Sequence, residues 1–548
     1  MKKILKMSGL ILGLSLLPHA QAYEKNKTYR FTVLHVNDTH GRFWHNDKGE
    51  YGFPAQKTVI EQIKKEVKKQ GGSVILLHAG DVNTGVPESD IQNARPDIEA
   101  LNNMGYEAMT VGNHEFDNPF SALKNQQKWA KFPFLSANVV WQNSGKFVAQ
   151  PYTILHKNGL KIAVVGLTTE ETATAGNPLH TNGVVFKNVP ESAQKILAKI
   201  RKQHAPDVKI ALTHLGYENA NPNSPATSDV QLAQRLPAKS FDMIIGGHSH
   251  TLVCMENGKL KTPFQAGDKC QPDLKNGTWI MQAGEWGKYL GRADFEFKNG
   301  KTKLLNYQLI PINLKKKITS DDGKTQYQFH QSEIAPEPKL RQLLQHYQDK
   351  ANAQLSESVA QIQGEFDGKR ETVRHQQSAL AHLIAQAQKE RVNADLVVVN
   401  GGGIRASLPN GTISYKDILT VQPFGNVVSY VDLTGAELHA YLQEVAQYQA
   451  GEGGYAQFSA NVSMTVKRAE KTIDHVQIDG KPLDLQKTYR LAVVDFLALG
   501  GDGYPKLNQH PSYINTGLVD ADTLKHFLQQ RKTVDVRDFE PKNEIVYQ

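Results

Sequence analysis

Ile244-Ile245-Gly246-Gly247-His248-Ser249-His250 passes from an apolar run through two glycines into two histidines, side chains that as neutral imidazoles bind divalent metals readily. Four earlier stretches end in a similar way. Residues 31–37 lead into Asp38-Thr39-His40, and 74–79 into Gly80-Asp81. Residues 108–111 lead into Gly112-Asn113-His114, and 209–213 into His214. A single Asp behind a strand is ordinarily a helix N-cap, and a single His is ordinarily a satisfied polar residue. Five such endings in order predict strands whose carboxyl ends share one rim of a sheet, the place where α/β proteins gather their reactive groups.

The surrounding pattern fits that reading. A chain of 548 residues is too long for one core, so two domains are expected. From residue 29 to about 246, β-rich runs alternate with helical stretches such as 55–69 and 191–204, which predicts βαβ units and a largely parallel, covered sheet. After residue 278 the pattern turns more purely β, closing a first domain over 23–335. A helix is expected from 339 to about 361, with Leu340, Leu343, Leu344, Tyr347, Ala351 and Leu355 on one stripe. It reads as an interdomain linker over 336–361, or equally as the first helix of the next domain. Residues 362–548 carry their own α/β pattern, with strands at 394–400, 427–433 and 490–495 and a helix at 435–446.

Lys2, Lys3 and Lys6 precede an apolar run over 7–17, and Ala20-Gln21-Ala22 follows. This is the form of a secretory signal over 1–22, so an exported protein without a membrane span is expected. The formal charge of +8 is spread too thinly to argue for a nucleic-acid polymer as partner; it suits small anionic ligands. The two cysteines, Cys254 and Cys270, should pair if the chain is exported; metal ligation is the alternative.

Phosphate chemistry at neutral pH needs charge neutralisation of the phosphoryl oxygens and a deprotonated water, and a pair of divalent ions supplies both. Asp38, His40, Asp81, Asn113, His214, His248 and His250 offer seven ligands, with Asp81 the candidate to bridge. A nitrogen and oxygen set without thiolate suits Zn, Mn or Co better than Ca. His114 and Asp117 are spaced to meet on one helical face, where the carboxylate would orient the imidazole and support its charge. His35, His78, His156 and His180 fit no such pattern and read as structural. In the second half, Arg370, Arg374 and Arg405 suit phosphate or carboxylate oxygens. Phe424 and Phe496 offer aromatic faces for a base. Asp502 could accept from ribose hydroxyls, and Asn426 could meet the base edge.

Asp-x-His, Gly-Asp, Gly-Asn-His-Glu, a lone His and Gly-His-x-His together resemble the signature of calcineurin-like metallophosphoesterases. The segments 33–41, Asn400-Gly401-Gly402-Gly403-Ile404-Arg405 and Gln422-Pro423-Phe424-Gly425-Asn426 resemble, more closely, the bacterial periplasmic 5′-nucleotidase/UDP-sugar hydrolase family. The resemblance covers essentially the whole chain after residue 22. It implies an α/β metallophosphoesterase sandwich, a helical linker and a smaller α/β nucleotide-binding domain that rotates to carry substrate to the metals. It also implies a periplasmic, dimetal 5′-nucleotidase that acts on nucleoside 5′-phosphates and UDP-sugars by attack of a metal-bound hydroxide, and a monomer is expected. Some relatives carry Gln where this chain has His250, a departure that bears on metal preference. A 2′,3′-cyclic-nucleotide phosphodiesterase/3′-nucleotidase and a non-catalytic exported nucleotide-binding protein are the alternatives.

Overall fold

The computed structural model describes residues 23–46, 48–176, 178–219, 226–319 and 325–548; the expected signal segment lies outside them. Among the described residues no helix is long and apolar enough to cross a membrane.

Strand Tyr29–Val36 shows how the first domain is layered. Its side chains alternate between two apolar environments, so the strand is buried on both faces and reads as a nearly continuous apolar run. Phe31 and Val33 face inward, among Ile75, Leu77, Ile162, Val164, Ile210 and Leu212. Leu34 and Val36 face outward, against Val59, Ile60 and Ile63 of helix Phe53–Lys69. The domain is thus a sandwich of two six-stranded sheets with helices outside.

The expectation of a single rim is corrected here, because the five endings come from two facing sheets. In one sheet, strands Tyr29–Val36, Ser73–His78, Ala108–Thr110 and Phe134–Leu135 run parallel. In the other, Leu160–Thr168, Val208–His214, Met243–Ile245 and Thr278–Met281 run parallel. Apolar runs of this length give no sign of where one sheet stops and the next begins. Antiparallel strands such as Tyr289–Lys298 and Tyr152–Lys157 flank the parallel sets. Cys254 and Cys270 form a disulfide.

Helix Pro338–Leu355 packs Leu340 and Leu344 into the first domain's outer core. It ends at Leu355, short of the expected 361, and Ser358–Gln363 is a strand. Val359, Ala360 and Ile362 are buried there, where the strand pairs with Gly411–Ser414 and Thr533–Asp535. The second domain is built on a mixed five-stranded sheet in which Leu396–Asn400, Thr488–Val494 and Val427–Thr434 are central. Helices Ala379–Val392 and Asp520–Arg531 cover one face and Gly435–Val445 the other.

Candidate functional site

The strand ends of both sheets meet at one buried point. Asp38 follows Tyr29–Val36, Asp81 follows Ser73–His78 and Asn113 follows Ala108–Thr110; His214 ends Val208–His214, and His248 and His250 follow Met243–Ile245. Three groups of possible ligand atoms lie within 4.8 Å of one another: Asp38, His40 and His250; His40, Asp81 and His114; and Asp81, His214 and His248. Asp81 stands between them, with His214 Nε2 at 3.0 Å and His40 Nε2 at 3.9 Å from the same carboxylate oxygen. Asn113 Oδ1 is 3.1 Å from His214 Nε2 and 2.8 Å from His248 Nδ1.

The chemistry of this donor set fits cations. His40 Nδ1 bonds the Thr84 carbonyl at 2.8 Å, His214 Nδ1 the Ala79 carbonyl at 2.7 Å, and His250 Nδ1 the Glu285 carboxylate at 2.7 Å. Each bond protonates Nδ1 and leaves Nε2 facing the centre as a lone-pair donor, the usual second layer of a metal site. His40 Nε2 and His250 Nε2 sit only 3.2 Å apart, close enough for both to reach one cation. Without an ion the imidazoles answer to the carboxylates instead. Burial opposes charge on His214 and His250, yet Asp81 and Asp38 raise His214 to about 10, and Asp38 and Glu285 raise His250 to about 9. Burial alone dominates at His40, which falls to about 3.

The backbone is strained at this place. Asp38, His40, Asp81, His248 and His250 all have positive φ, from 48° to 84°, a region that non-glycine residues enter at a cost. Tight hydrogen bonding holds them there. Glu115 accepts from the backbone N–H groups of Asp81, Val82, Asn83 and Gly112, tying two ligand-bearing loops to one buried carboxylate. Gly112 must be glycine, since a Cβ there would overlap the Asp81 carboxylate.

His114 begins a short 3₁₀ turn, His114–Phe116, and its Nδ1 lies 2.6 Å from Asp117 Oδ2. Burial opposes its charge, but Asp117 and Asp81 outweigh that and raise its pKa above the ordinary imidazole value. Its Nε2 faces the centre, 4.0 Å from Asp81. His180, read as structural, holds the Asp117 carbonyl through Nδ1 at 2.7 Å. His35 is fully buried among apolar groups, and His78 bonds Thr39 Oγ1.

A cavity of about 800 Å³ opens from this centre and is closed by the second domain; it is lined by Asp81, Asn113, His114, Asp117, Arg370, Arg374, Arg405, Phe424, Asn426, Phe496 and Asp502. Phe424 lies parallel to His114 with ring centroids 6.0 Å apart, and Arg405 sits over its ring at 5.5 Å. Among the described residues no carboxylate pairs with the guanidinium of Arg370, Arg374 or Arg405. Burial, and then the neighbouring Arg370 and Arg405, depress Arg374 to about 9. Asp502 has a left-handed backbone, φ 52°, and its Oδ2 accepts from Asn400 Nδ2 at 2.7 Å. Phe496 packs its ring against Gly501.

Three carboxylates escaped the sequence reading: Glu115, Glu285 and Glu171, whose Oε2 lies 3.2 Å from His248 Nε2. Glu285 had a signal, since it follows the strand Thr278–Met281 as the ligands follow theirs.

Three guanidinium groups and a cation-ready centre facing one cavity are the makings of a metal-dependent phosphoesterase. The comparisons then narrow it. Residues 31–252 match the calcineurin-like phosphoesterase family, and residues 355–509 match the 5′-nucleotidase C-terminal domain. The chain is 49% identical over 531 residues to protein UshA of Escherichia coli (strain K12), covering 96% of each. It is 50% identical over 530 residues to a 5′-nucleotidase of Vibrio cholerae serotype O1, covering 96% of this chain and 95% of that one. The crystal structure of a 5′-nucleotidase precursor from Thermus thermophilus is 27% identical and superposes with a TM-score of 0.76, over 95% of this chain and 99% of its own. The chain belongs to the 5′-nucleotidase family of calcineurin-like phosphoesterases.

Proposed function

We propose that the protein hydrolyses nucleoside 5′-monophosphates to nucleoside and phosphate, and cleaves UDP-sugars to UMP and a sugar 1-phosphate. The observation that carries this is the shared cavity: Phe424, Phe496, Asp502 and the three arginines open onto the same space as the Asp81 centre. Near-full-length likeness at 49–50% identity to proteins named UshA and 5′-nucleotidase supports it over the cyclic-nucleotide and non-catalytic alternatives.

In this reading Asp38, His40, Asp81 and His250 hold one divalent ion, and Asp81, Asn113, His214 and His248 the other, with Zn, Mn or Co as the candidates. Bound there, the pair would neutralise phosphoryl oxygens and acidify water at the centre. The chain's own residues do the rest. Arg370, Arg374 and Arg405 draw the phosphate into the cleft and offset its charge. Phe424 and Phe496 hold the base, Asn426 its edge and Asp502 the ribose hydroxyls, so that the ester bond is presented to the buried centre in one orientation. His114, charged and oriented by Asp117, donates from Nε2 to the phosphoryl group and eases departure of the 5′-oxygen. Residues 1–22 act as an export signal, the mature protein works in the periplasm, and it does so as a monomer with the Cys254–Cys270 disulfide closed.

The test is phosphate release from AMP and UMP release from UDP-glucose by metal-loaded protein. Both should stop on chelation and return on adding metal back. Turnover that survives thorough chelation would overturn the proposal.

A further inference from the structure

Away from the cleft, among the described residues, an ion pair joins the two domains. Lys416 Nζ lies 2.5 Å from Glu88 Oε1; the Glu88 side chain is 2% exposed and that of Lys416 41%. The same oxygen accepts from Gln348 Nε2 of helix Pro338–Leu355 at 3.0 Å, and Glu88 Oε2 finds no hydrogen-bond partner. A buried carboxylate so thinly served is costly unless a cation sits on it. The cation placed there comes from the other domain, so the bond forms only when the domains are docked in this register.

Each partner also belongs to an element that feeds the site. Glu88 lies in the short helix Pro87–Asp90, just after the loop whose Asn83 and Thr84 carbonyls hold His40 Nδ1. Lys416 lies in helix Tyr415–Val421, fixed at its start by the Ser414 capping box. The carbonyl of Val421 accepts from the Arg405 backbone N–H at 2.9 Å. Phe424 follows three residues later and meets His114. The ion pair therefore ties the loop behind a candidate metal ligand to the helix that delivers Phe424 and braces Arg405.

We propose that Lys416–Glu88 is a positioning contact that sets the register of the nucleoside-reading domain over the catalytic centre. It matters most for substrates whose nucleoside the second domain reads, and least for a small phosphate ester that offers that domain a phosphate and no nucleoside. This rests on the function proposed above, and wild-type protein separates the two: if it fails on AMP, that reading falls first.

The experiment compares full-length wild type, Lys416→Met, Lys416→Arg and Glu88→Gln, metal-loaded, on AMP and on p-nitrophenyl phosphate. Lys416→Met should lower kcat/KM for AMP by about tenfold, mainly through KM, less than the loss for truncating a fully buried charge pair because the Lys416 side chain is 41% exposed. Its rate on p-nitrophenyl phosphate should stay within about twofold of wild type. Lys416→Arg should recover most of the loss, and Glu88→Gln, which retains the hydrogen bonds but not the charge, should fall between. An unchanged AMP rate in Lys416→Met, or equal losses on both substrates, would overturn the proposal. The p-nitrophenyl phosphate rate reports folding of each variant.

Discussion

The two walls of the cleft are built on opposite principles. On the first domain's side three imidazoles are fixed from behind: the Nδ1 atoms of His40, His214 and His250 bond Thr84, Ala79 and Glu285, and five residues are held at positive φ. On the second domain's side, among the described residues, no carboxylate pairs with Arg370, Arg374 or Arg405, and Phe424 leans on a residue of the other domain. The first wall is organised before anything binds, as a centre for charged transition states must be. The second is left incomplete, and in the function proposed above the substrate completes it.

The comparison can be broken most sharply at His114. His114→Ala should cut kcat for AMP by about 10²- to 10⁴-fold, the usual worth of a positioned acid, while metal content and melting temperature stay close to wild type. A loss expressed chiefly in KM would move His114 to the reading wall.

Next is the pH dependence of metal binding. In the metal-free protein His214, at about 10, and His250, at about 9, both carry a proton at neutral pH, while His40, at about 3, does not. A metal takes neutral imidazole, so each ion should expel about one proton. Affinity should then rise about tenfold per pH unit between pH 6 and 8 and level off as pH passes 9 to 10. Calorimetry in buffers of different ionisation enthalpy counts those protons directly; none released would contradict the prearranged ion pairs.

Glu285→Gln tests whether support from behind matters. It should weaken metal binding or activity by about 10- to 100-fold through a misdirected His250, with KM for AMP little changed at saturating metal. Phe496→Ala should give the smallest effect, a rise of about tenfold in KM for AMP from the loss of one stacking face. Its kcat should hold, since the first wall is untouched.

How much of this was legible in the chain follows the same division. The ligand types at strand ends were visible because each sits directly behind its own apolar run, a local signal. That these runs form two sheets was not, because an apolar run carries no mark of which sheet it joins; only resemblance to a family supplied the sandwich. Helix Pro338–Leu355 was visible as a stripe, but its end was not: Val359 and Ile362 continue an apolar pattern that tertiary pairing turns into a strand. Glu115 stood in a quoted motif without a role, since its role is to collect backbone N–H groups from a loop more than thirty residues upstream. Lys416 and Glu88 gave no sign at all, each being an ordinary charged residue until the domains dock.

Metal stoichiometry tests the central claim most directly. Protein saturated with Zn, Mn or Co and then freed of unbound ion should hold two ions per chain by elemental analysis, and Asp81→Ala, lacking the carboxylate common to both sets, should retain neither tightly nor hydrolyse AMP. A single ion in the wild-type chain, or two that persist in Asp81→Ala, would contradict the account.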